Sequence, residues 1–370
     1  MRFDFDTTIA EVFHFTTGNE VDEYHAIVHI KESNASFAEQ LEALTKDFER
    51  LRMEHLGGAT AVFKRYFLSD AANQAEAIRS AEGDGECAVS IVQQPPLDGT
   101  KLALWAYLQT GVEHRKLSCG LHEVRWGGCR HLWCGSAQSP DGDSYQQTRQ
   151  LFLSYIAHLQ QAGCTLAENC LRTWFFVNDI DNNYGGVVRA RNDVFAEQEL
   201  TAQTHFIAST GIGGRAADHR VLSQMDSYAV GGIDAKSQVH YLYAPTHLNP
   251  TSDYGVSFER GTYVDYPDRR HVFVSGTASI NNHGEIMYAG DIKKQALRML
   301  ENVEALLSEA SCNFCEVSHM IVYLRDTADY TTVRNIFSTR FPDKPIVFVL
   351  APVCRPGWLI EMECMAMKRL

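Results

Sequence analysis

The sequence predicts an α+β protein built from three copies of one β-β-α-β-α-β-β unit, closed around an internal pseudo-threefold axis. The first indication is helical periodicity. Phe37, Leu41, Leu44, Phe48 and Leu51 fall at successive offsets of 4, 7, 11 and 14, and Ile292, Ala296, Met299, Val303 and Leu306 repeat those offsets. Each series is the apolar stripe of an amphipathic helix of about four turns. The second indication lies beyond each helix, where a short apolar strand ends in aspartate, at 62–70, 171–179 and 320–326. The third is length, since 370 residues divide into units of about 123, a normal domain size.

The remaining elements fall into the same order. Residues 130–137 parallel 271–278, each a strand that ends at a glycine followed by a small residue. The middle copy has its own helix, with Leu151, Tyr155 and Leu159 inward. After each aspartate comes a second helical stretch, at 74–81, 187–195 and 330–341. Strand pairs then close the copies, ending at 102–107, 221–230 and 359–367. Helices on one face of each sheet leave the other face to be buried, and three like faces bury each other in a closed ring. The predicted units are 1–110, a degenerate copy, then 120–231 and 262–370. Residues 232–261, rich in Gly, Pro, Tyr and His, are expected to be an insertion or linker, the kind of long irregular segment that covers a functional site.

Charge and composition exclude several classes. With 33 Lys+Arg against 46 Asp+Glu the net charge is −13, and the longest basic runs are Arg269-Arg270-His271 and Lys293-Lys294. Neither run tracks a phosphate backbone, so no nucleic-acid partner is expected. No stretch reaches 18 uninterrupted apolar residues, and the N-terminus lacks a basic-then-apolar leader, so the expectation is a cytoplasmic protein with no membrane partner. Ten cysteines are too dilute for a disulfide scaffold. The group Cys119, His122, Cys129, His131 and Cys134 has irregular spacing for zinc, and the alternation in 129–134 reads as a strand. No metal or cofactor is expected.

The third copy carries a resemblance. Residues 272–278 (Val-Phe-Val-Ser-Gly-Thr-Ala), Gly290-Asp291, the helix from Lys293 and residues 359–366 resemble the Rid (YjgF) superfamily, whose units have a chorismate-mutase-like fold. Members form homotrimers with ligand sites in the clefts between subunits, so three units in one chain imply an intramolecular pseudo-trimer. Such a chain needs no partner to build its clefts, and a monomer or weak homo-oligomer is expected. Within the superfamily the closer likeness is to the chorismatases, carried by 172–176, Tyr184 to Arg191, 208–213, 257–261, 274–278 and Cys354 to Glu361. That resemblance implies cleavage of the enolpyruvyl ether of chorismate, or of a similar small cyclic carboxylate, to pyruvate and a hydroxybenzoate or dihydrodiol acid. Two departures stand against a simple transfer. Deaminases of the superfamily carry an arginine fifteen residues before the glutamate, where this chain has Ile346, and the chorismatase pattern has proline where this chain has Ile207.

Aligning the closing strands puts Glu361 opposite Gln224 and Ala103, so one copy in three keeps a titratable group. Glu361 lies in an apolar strand, where desolvation raises a carboxyl pKa and suits it to act as a general acid. The structural alternative is a strand carboxylate paired with an arginine. Glu363, two residues along on the same face, competes for the role, and the family alignment favours Glu361. Arg191 is the candidate to hold a substrate carboxylate, with Arg215 and Arg355 as alternatives; it reads equally as a solvated helix residue beside Asp193. The glycine-rich 209–215 stretch, with Thr210, Gly211, Gly213 and Arg215, reads as a loop presenting backbone N–H groups, or as a plain turn. Tyr184, Trp174, Tyr243 and Phe258 are candidate apolar walls that read individually as core. By resemblance, Cys354 is a candidate catalytic thiol and, with Gly261, points to the subgroup that makes 3-hydroxybenzoate; as a buried thiol Cys354 reads equally as inert filler. The alternatives to a chorismatase are a Rid-like imine or enamine deaminase or other hydrolase of a small carboxylate, and a non-catalytic binder of small carboxylates.

Overall fold

A computed structural model describes residues 1–19, 21–83 and 85–370. The first unit runs β1 (Arg2–Asp4), β2 (Thr8–Phe15), β3 (Glu23–Ile30), α1 (Phe37–Arg50), β4 (Thr60–Leu68), α2 (Ala71–Glu82), β5 (Ala88–Gln93) and β6 (Leu102–Gln109). The second runs β7 (His114–Lys116), β8 (His122–Trp126), β9 (Cys129–Gln138), α3 (Ser144–Gln161), α4 (Leu166–Asn169), β10 (Cys170–Val177), α5 (Ile180–Glu197), β11 (Ala208–Gly213) and β12 (Ser223–Gly231). The third runs α6 (Ala235–Gln238), β13 (Val239–Leu242), β14 (Gly261–Asp265), β15 (Arg269–Ala278), α7 (Ile292–Glu309), β16 (Val317–Leu324), α8 (Tyr330–Arg340), β17 (Ile346–Leu350) and β18 (Ile360–Arg369).

Among the described residues the strands form three six-stranded sheets of one topology. In order they are β1-β2-β3-β6-β4-β5, β7-β8-β9-β12-β10-β11 and β13-β14-β15-β18-β16-β17. Each sheet is antiparallel except for its last pair, which is parallel because a helix crosses over between the two strands. The long helices begin where the sequence offers caps. Ser36 and Glu39 form a capping box on α1, Asp143 and Gln146 form another on α3, and the Asp291 carboxylate accepts from Lys294 N on α7.

Segment 232–261 is not wholly the insertion or linker that its composition suggests. It supplies α6 and the edge strand β13, which pairs with β14 in the place that β1 and β7 hold in the other sheets. Its short, aromatic Val239-His-Tyr-Leu242 run is too brief to stand out as a strand by periodicity. The repeat is therefore one strand longer than the β-β-α-β-α-β-β pattern read from sequence.

The strand period of two settles which faces meet. Along β6, Leu102, Leu104, Ala106 and Leu108 pack in a cluster under α1 and α2, with Leu44 and Phe48. Ala103, Trp105 and Tyr107, pointing the other way, join a central cluster with Trp133, Trp174, Tyr228, Phe273 and Tyr323 from the other units. The three inner faces thus form one core on the pseudo-threefold axis. Burying such large aromatic side chains contributes on the order of 2–3 kcal/mol each. Equivalent positions diverge on the axis itself, where the residue two beyond Ala103, Gln224 and Glu361 is Trp105, Asp226 and Glu363. Fully buried Arg65 donates to Asp226 (Nη2 to Oδ2, 2.8 Å) and lies over the Trp174 and Trp105 rings. At the other end of the axis Glu23 accepts from Arg269 (2.6 Å) and Tyr107 and lies 2.9 Å from His271 Nε2. No helix among the described residues is long and apolar enough to cross a membrane.

Candidate active site

Three clefts open where one unit's last parallel strand meets the next unit. Ile91 N of β5 donates to Ser136 Oγ (2.8 Å), Ser209 N of β11 to Ser275 Oγ (2.9 Å), and Ile346 N of β17 to Glu11 Oε2 (3.2 Å). The registers place Ala103 opposite Phe67, Gln224 opposite Phe176 and Glu361 opposite Tyr323, so these three are equivalent. A carboxyl therefore occupies that position only at the junction of the second and third units.

Glu361 is 4% exposed and lines the cavity at that junction. Its carboxyl sits against Gly276, at a bulge where the register of β15 on β18 shifts. Loss of water, then the nearby charge of Glu363, push its pKa up to about 8 against the opposing pull of Arg172 and Arg260. The carboxyl is protonated at neutral pH. Glu363 has a different environment two residues along. Its carboxylate accepts from Arg172 Nη2 (2.7 Å), Trp174 Nε1 (2.9 Å) and Thr210 Oγ1, while Arg65 stands 3.5 Å away. Thr210 Oγ1 in turn accepts from Gly276 N (2.9 Å). One glutamate is a neutral acid facing a cavity, and its neighbour is an ion-paired axis residue that holds the wall behind it.

Across the cavity stands Arg191, from α5. It is 1% exposed, and its Nε and Nη2 have no hydrogen-bond partner among the described residues. Unpaired donors on a buried guanidinium are costly, and here they face the cavity that Glu361 lines. The solvated reading of Arg191 is therefore wrong: its own helix turns it inward, over the Phe258 ring at 5.6 Å. Tyr184, also on α5, packs where Gly211 leaves room, since a Cβ on Gly211 would lie 2.7 Å from Tyr184 Cε2. Phe258 and Cys354 complete the walls drawn from the sequence candidates. Lost hydration pushes the Cys354 thiol up to about 12, so it lines the cavity as a neutral thiol and not a thiolate at physiological pH. The space enclosed is about 40 Å³, so the walls stand close together.

The other candidates lie elsewhere. Stretch 209–215 is no loop: 208–213 is strand β11, paired in parallel with β10, and its N–H groups enter that ladder or bond to Ser275 Oγ and Pro352 O. The glycines misled because in a strand they mark close approach: Gly213 is packed against Pro352. Thr210 faces Glu363, and Arg215 bridges to Gln93 of the first unit. Trp174 is in the axial core. Tyr243, half exposed, lines a neighbouring cavity, and Gly261 starts β14 beneath Leu242. Alternative Arg355 does line the Glu361 cavity. Ile346 is in the wrong cleft to bear on Glu361, because β17 meets the first unit. The register-equivalent residue beside Glu361 is Ser209, opposite Thr173 as Ile346 is opposite Met320. Of the cysteine-histidine group, His131 bonds to the Tyr228 hydroxyl (2.7 Å) and His122 to His114 (2.7 Å).

Sequence reasoning passed over Arg260, Gly276 and Trp358, which also line the cavity. Arg260 and Gly276 sat inside motifs already noticed, at 257–261 and 274–278, without being given roles. Trp358 carried no signal, since a lone aromatic before a strand reads as core.

Three units of one topology, with a lined cavity at the junction of two of them, define a trimer folded from one polypeptide. The family model for endoribonuclease L-PSP matches residues 258–368. A RutC family protein of Pyrococcus abyssi is 34% identical over 136 residues, 36% of this chain and 98% of that protein. The chain belongs to this Rid superfamily. Its likeness within the superfamily extends to the 3-hydroxybenzoate synthase of Streptomyces hygroscopicus, 29% identical over 263 residues, 64% of this chain and 74% of that one. A solved chorismatase structure shares the fold over 83% of this chain and 93% of its own, with TM-score 0.64 and 19% identity.

Proposed function

We propose that the protein cleaves the enolpyruvyl ether of chorismate, or of a closely similar cyclic carboxylate, with Glu361 as general acid. The observation that carries this reading is a protonated, buried Glu361 sharing a cavity with the unpaired donors of Arg191. The likeness to a 3-hydroxybenzoate synthase supports the substrate class. Arg191 holds a substrate carboxylate, with Arg260 and Arg355 adding positive charge to the same cavity. Glu361 gives its proton to the enolpyruvyl methylene carbon, which turns the ether-bearing carbon into an oxocarbenium ion. Water adds there, and the hemiketal collapses to pyruvate and the ring alcohol; loss of a further water from the ring gives a hydroxybenzoate. Glu361 then recovers its proton from solvent.

Incubation of the purified protein with chorismate, with lactate dehydrogenase detection of pyruvate, tests the reading. Release that vanishes in Glu361→Gln supports it; no release above background, or undiminished release from that variant, overturns it. The second reading, an imine or enamine deaminase, draws on the 29% identity over 97 residues to the 3-aminoacrylate deaminase RutC of Acinetobacter baylyi. Against it stands Ser209, at the place in this cleft where such deaminases carry arginine. Turnover of 2-iminopropionate generated in situ separates the two.

A further inference from the structure

The junction that carries the acid differs from the other two at a bulge. In the second and third sheets one residue of the closing strand faces two on its neighbour: Asp226 faces Gly135 and Ser136, and Glu363 faces Ser275 and Gly276. The first sheet keeps a regular register there, with Ala103 opposite His29 and Trp105 opposite Ile27.

A bulge leaves a backbone N–H out of the ladder, and the two bulges satisfy it differently. Ser136 N donates directly to Asp226 Oδ1 (2.7 Å), within one unit. Gly276 N donates instead to Thr210 Oγ1 (2.9 Å), a hydroxyl of the neighbouring unit. The bulge residues differ to match. Ser136 has a side chain, to which Gln224 Nε2 donates (3.4 Å), whereas a Cβ on Gly276 would overlap the Glu361 carboxyl.

Thr210 stands on β11 between Ser209 and Gly211, both of which line the Glu361 cavity, so strand alternation turns Thr210 toward the axis. It is 1% exposed. A hydroxyl offers one donor and two acceptor sites, and here all three are taken. It donates to Glu363 Oε2 and accepts from Arg172 Nη2 (2.5 Å) and from Gly276 N. None is left for a substrate. Glu363 is itself held by Arg172 (2.7 Å) and Trp174 Nε1 (2.9 Å), with Arg65 at 3.5 Å bridging to Asp226 (2.8 Å). Through Thr210 the Gly276 backbone, on which the Glu361 carboxyl rests, is tied to charges drawn from all three units.

We propose that Thr210 is a positioning residue for the acid: its hydroxyl fixes the Gly276 bulge against the Glu363–Arg172 ion pair, and the bulge sets where the Glu361 carboxyl stands. This rests on the reading of Glu361 as general acid and adds to it a side chain that touches neither substrate nor reacting atoms.

Thr210→Val keeps the shape of the side chain and removes the hydroxyl, while Thr210→Ser keeps the hydroxyl. Arg172 and Trp174 still hold Glu363 in both, so both should melt cooperatively; Thr210→Ala takes the place of valine should the added methyl not fit beside Gly276. With chorismate as substrate, Thr210→Val should lose about 10- to 100-fold in kcat for pyruvate release, as a misplaced acid does, with KM little changed because Arg191 is untouched. Thr210→Ser should recover most of that loss. The carbonyl stretch of the protonated Glu361 carboxyl, identified in infrared spectra by its disappearance in Glu361→Gln, gives a readout without turnover. It should shift in Thr210→Val and return in Thr210→Ser. A wild-type protein that releases no pyruvate overturns the proposed chemistry alone, and the infrared comparison then decides on Thr210. Wild-type kcat in Thr210→Val, a loss that falls on KM, a Thr210→Ser protein no better than Thr210→Val, or a Glu361 band that ignores both substitutions would each overturn the assignment.

Discussion

Replacing Gly276 by alanine probes the placement of the acid more sharply than removing the acid itself. A Cβ built on Gly276 lies 2.9 Å from Glu361 Cδ and 3.1 Å from Thr210 Cγ2, and overlaps Glu361 Oε1. Carbon pairs settle at about 3.5–4.0 Å, so the carboxyl must retreat by roughly 0.6–1 Å. Glu361 is the far end of a flexible side chain, whereas Thr210 is fixed by its bonds to Glu363, Arg172 and Gly276. The displacement therefore falls on Glu361. Overpacking of this kind costs about 1–3 kcal/mol of stability. A misplacement of about 1 Å costs on the order of 100-fold in rate. Pyruvate release should show kcat reduced about 100-fold with KM little changed, in a protein that still melts cooperatively. As a comparison, Gly211→Ala pushes on Tyr184 and should act through KM. A Gly276→Ala protein with wild-type kcat and an intact melt would refute the argument that the position of Glu361 sets the rate.

In the proposed mechanism Glu361 acts in its protonated form, so activity should be level below pH 7 and fall as pH rises through about 8, and initial rates of pyruvate release across pH 6–10 check it. The same raised pKa sets a stability effect whose sign is opposite to that of a salt-bridged carboxylate: the neutral carboxyl is fully tolerated below its unfolded value near 4.5, and stability is lost as pH rises from there to about 8. Each tenfold rise in proton affinity on folding is worth ~1.4 kcal/mol, so Glu361→Gln should be inactive yet more stable than wild type by a few kcal/mol at pH 9, with little gain at pH 4.5; calorimetric melts at both pH values decide. Arg191→Met removes unpaired buried donors and should raise the melting temperature of the free protein, by about 1–3 kcal/mol of stability, while abolishing the thermal shift that benzoate produces at the Glu361 cavity. Cys354, with its thiol pushed up to about 12, should resist iodoacetamide at pH 7.5 in the native protein while exposed Cys315 is labelled, as peptide mass spectrometry will show.

The repeat was legible because its signals are local. Offsets of 4, 7, 11 and 14 in the helices arise from 3.6 residues per turn, and alternation along β6 arises from a period of two. β13 was missed because four residues at a sheet edge carry no period worth reading. Strand β11 was missed because Gly211 and Gly213 look like a turn until Tyr184 and Pro352 are seen filling the space they leave. At the site, Glu361 could be picked out by aligning three strands, but the roles of Arg260 and Gly276 depend on what stands across a cleft, and no spacing along one strand encodes that.

The three units, their element order, and the one glutamate among three equivalent positions can be read along the chain, since each depends on contacts within a unit or on comparison of its copies. That Glu361 and not Glu363 faces the cavity follows from packing between units. The two share a strand face, and they differ because Arg172, Trp174 and Thr210 of another unit claim the second carboxylate. The same packing decides that Ser209, not Ile346, stands beside the acid, because a cleft between units is lined by residues that the chain brings together from about 150 positions apart.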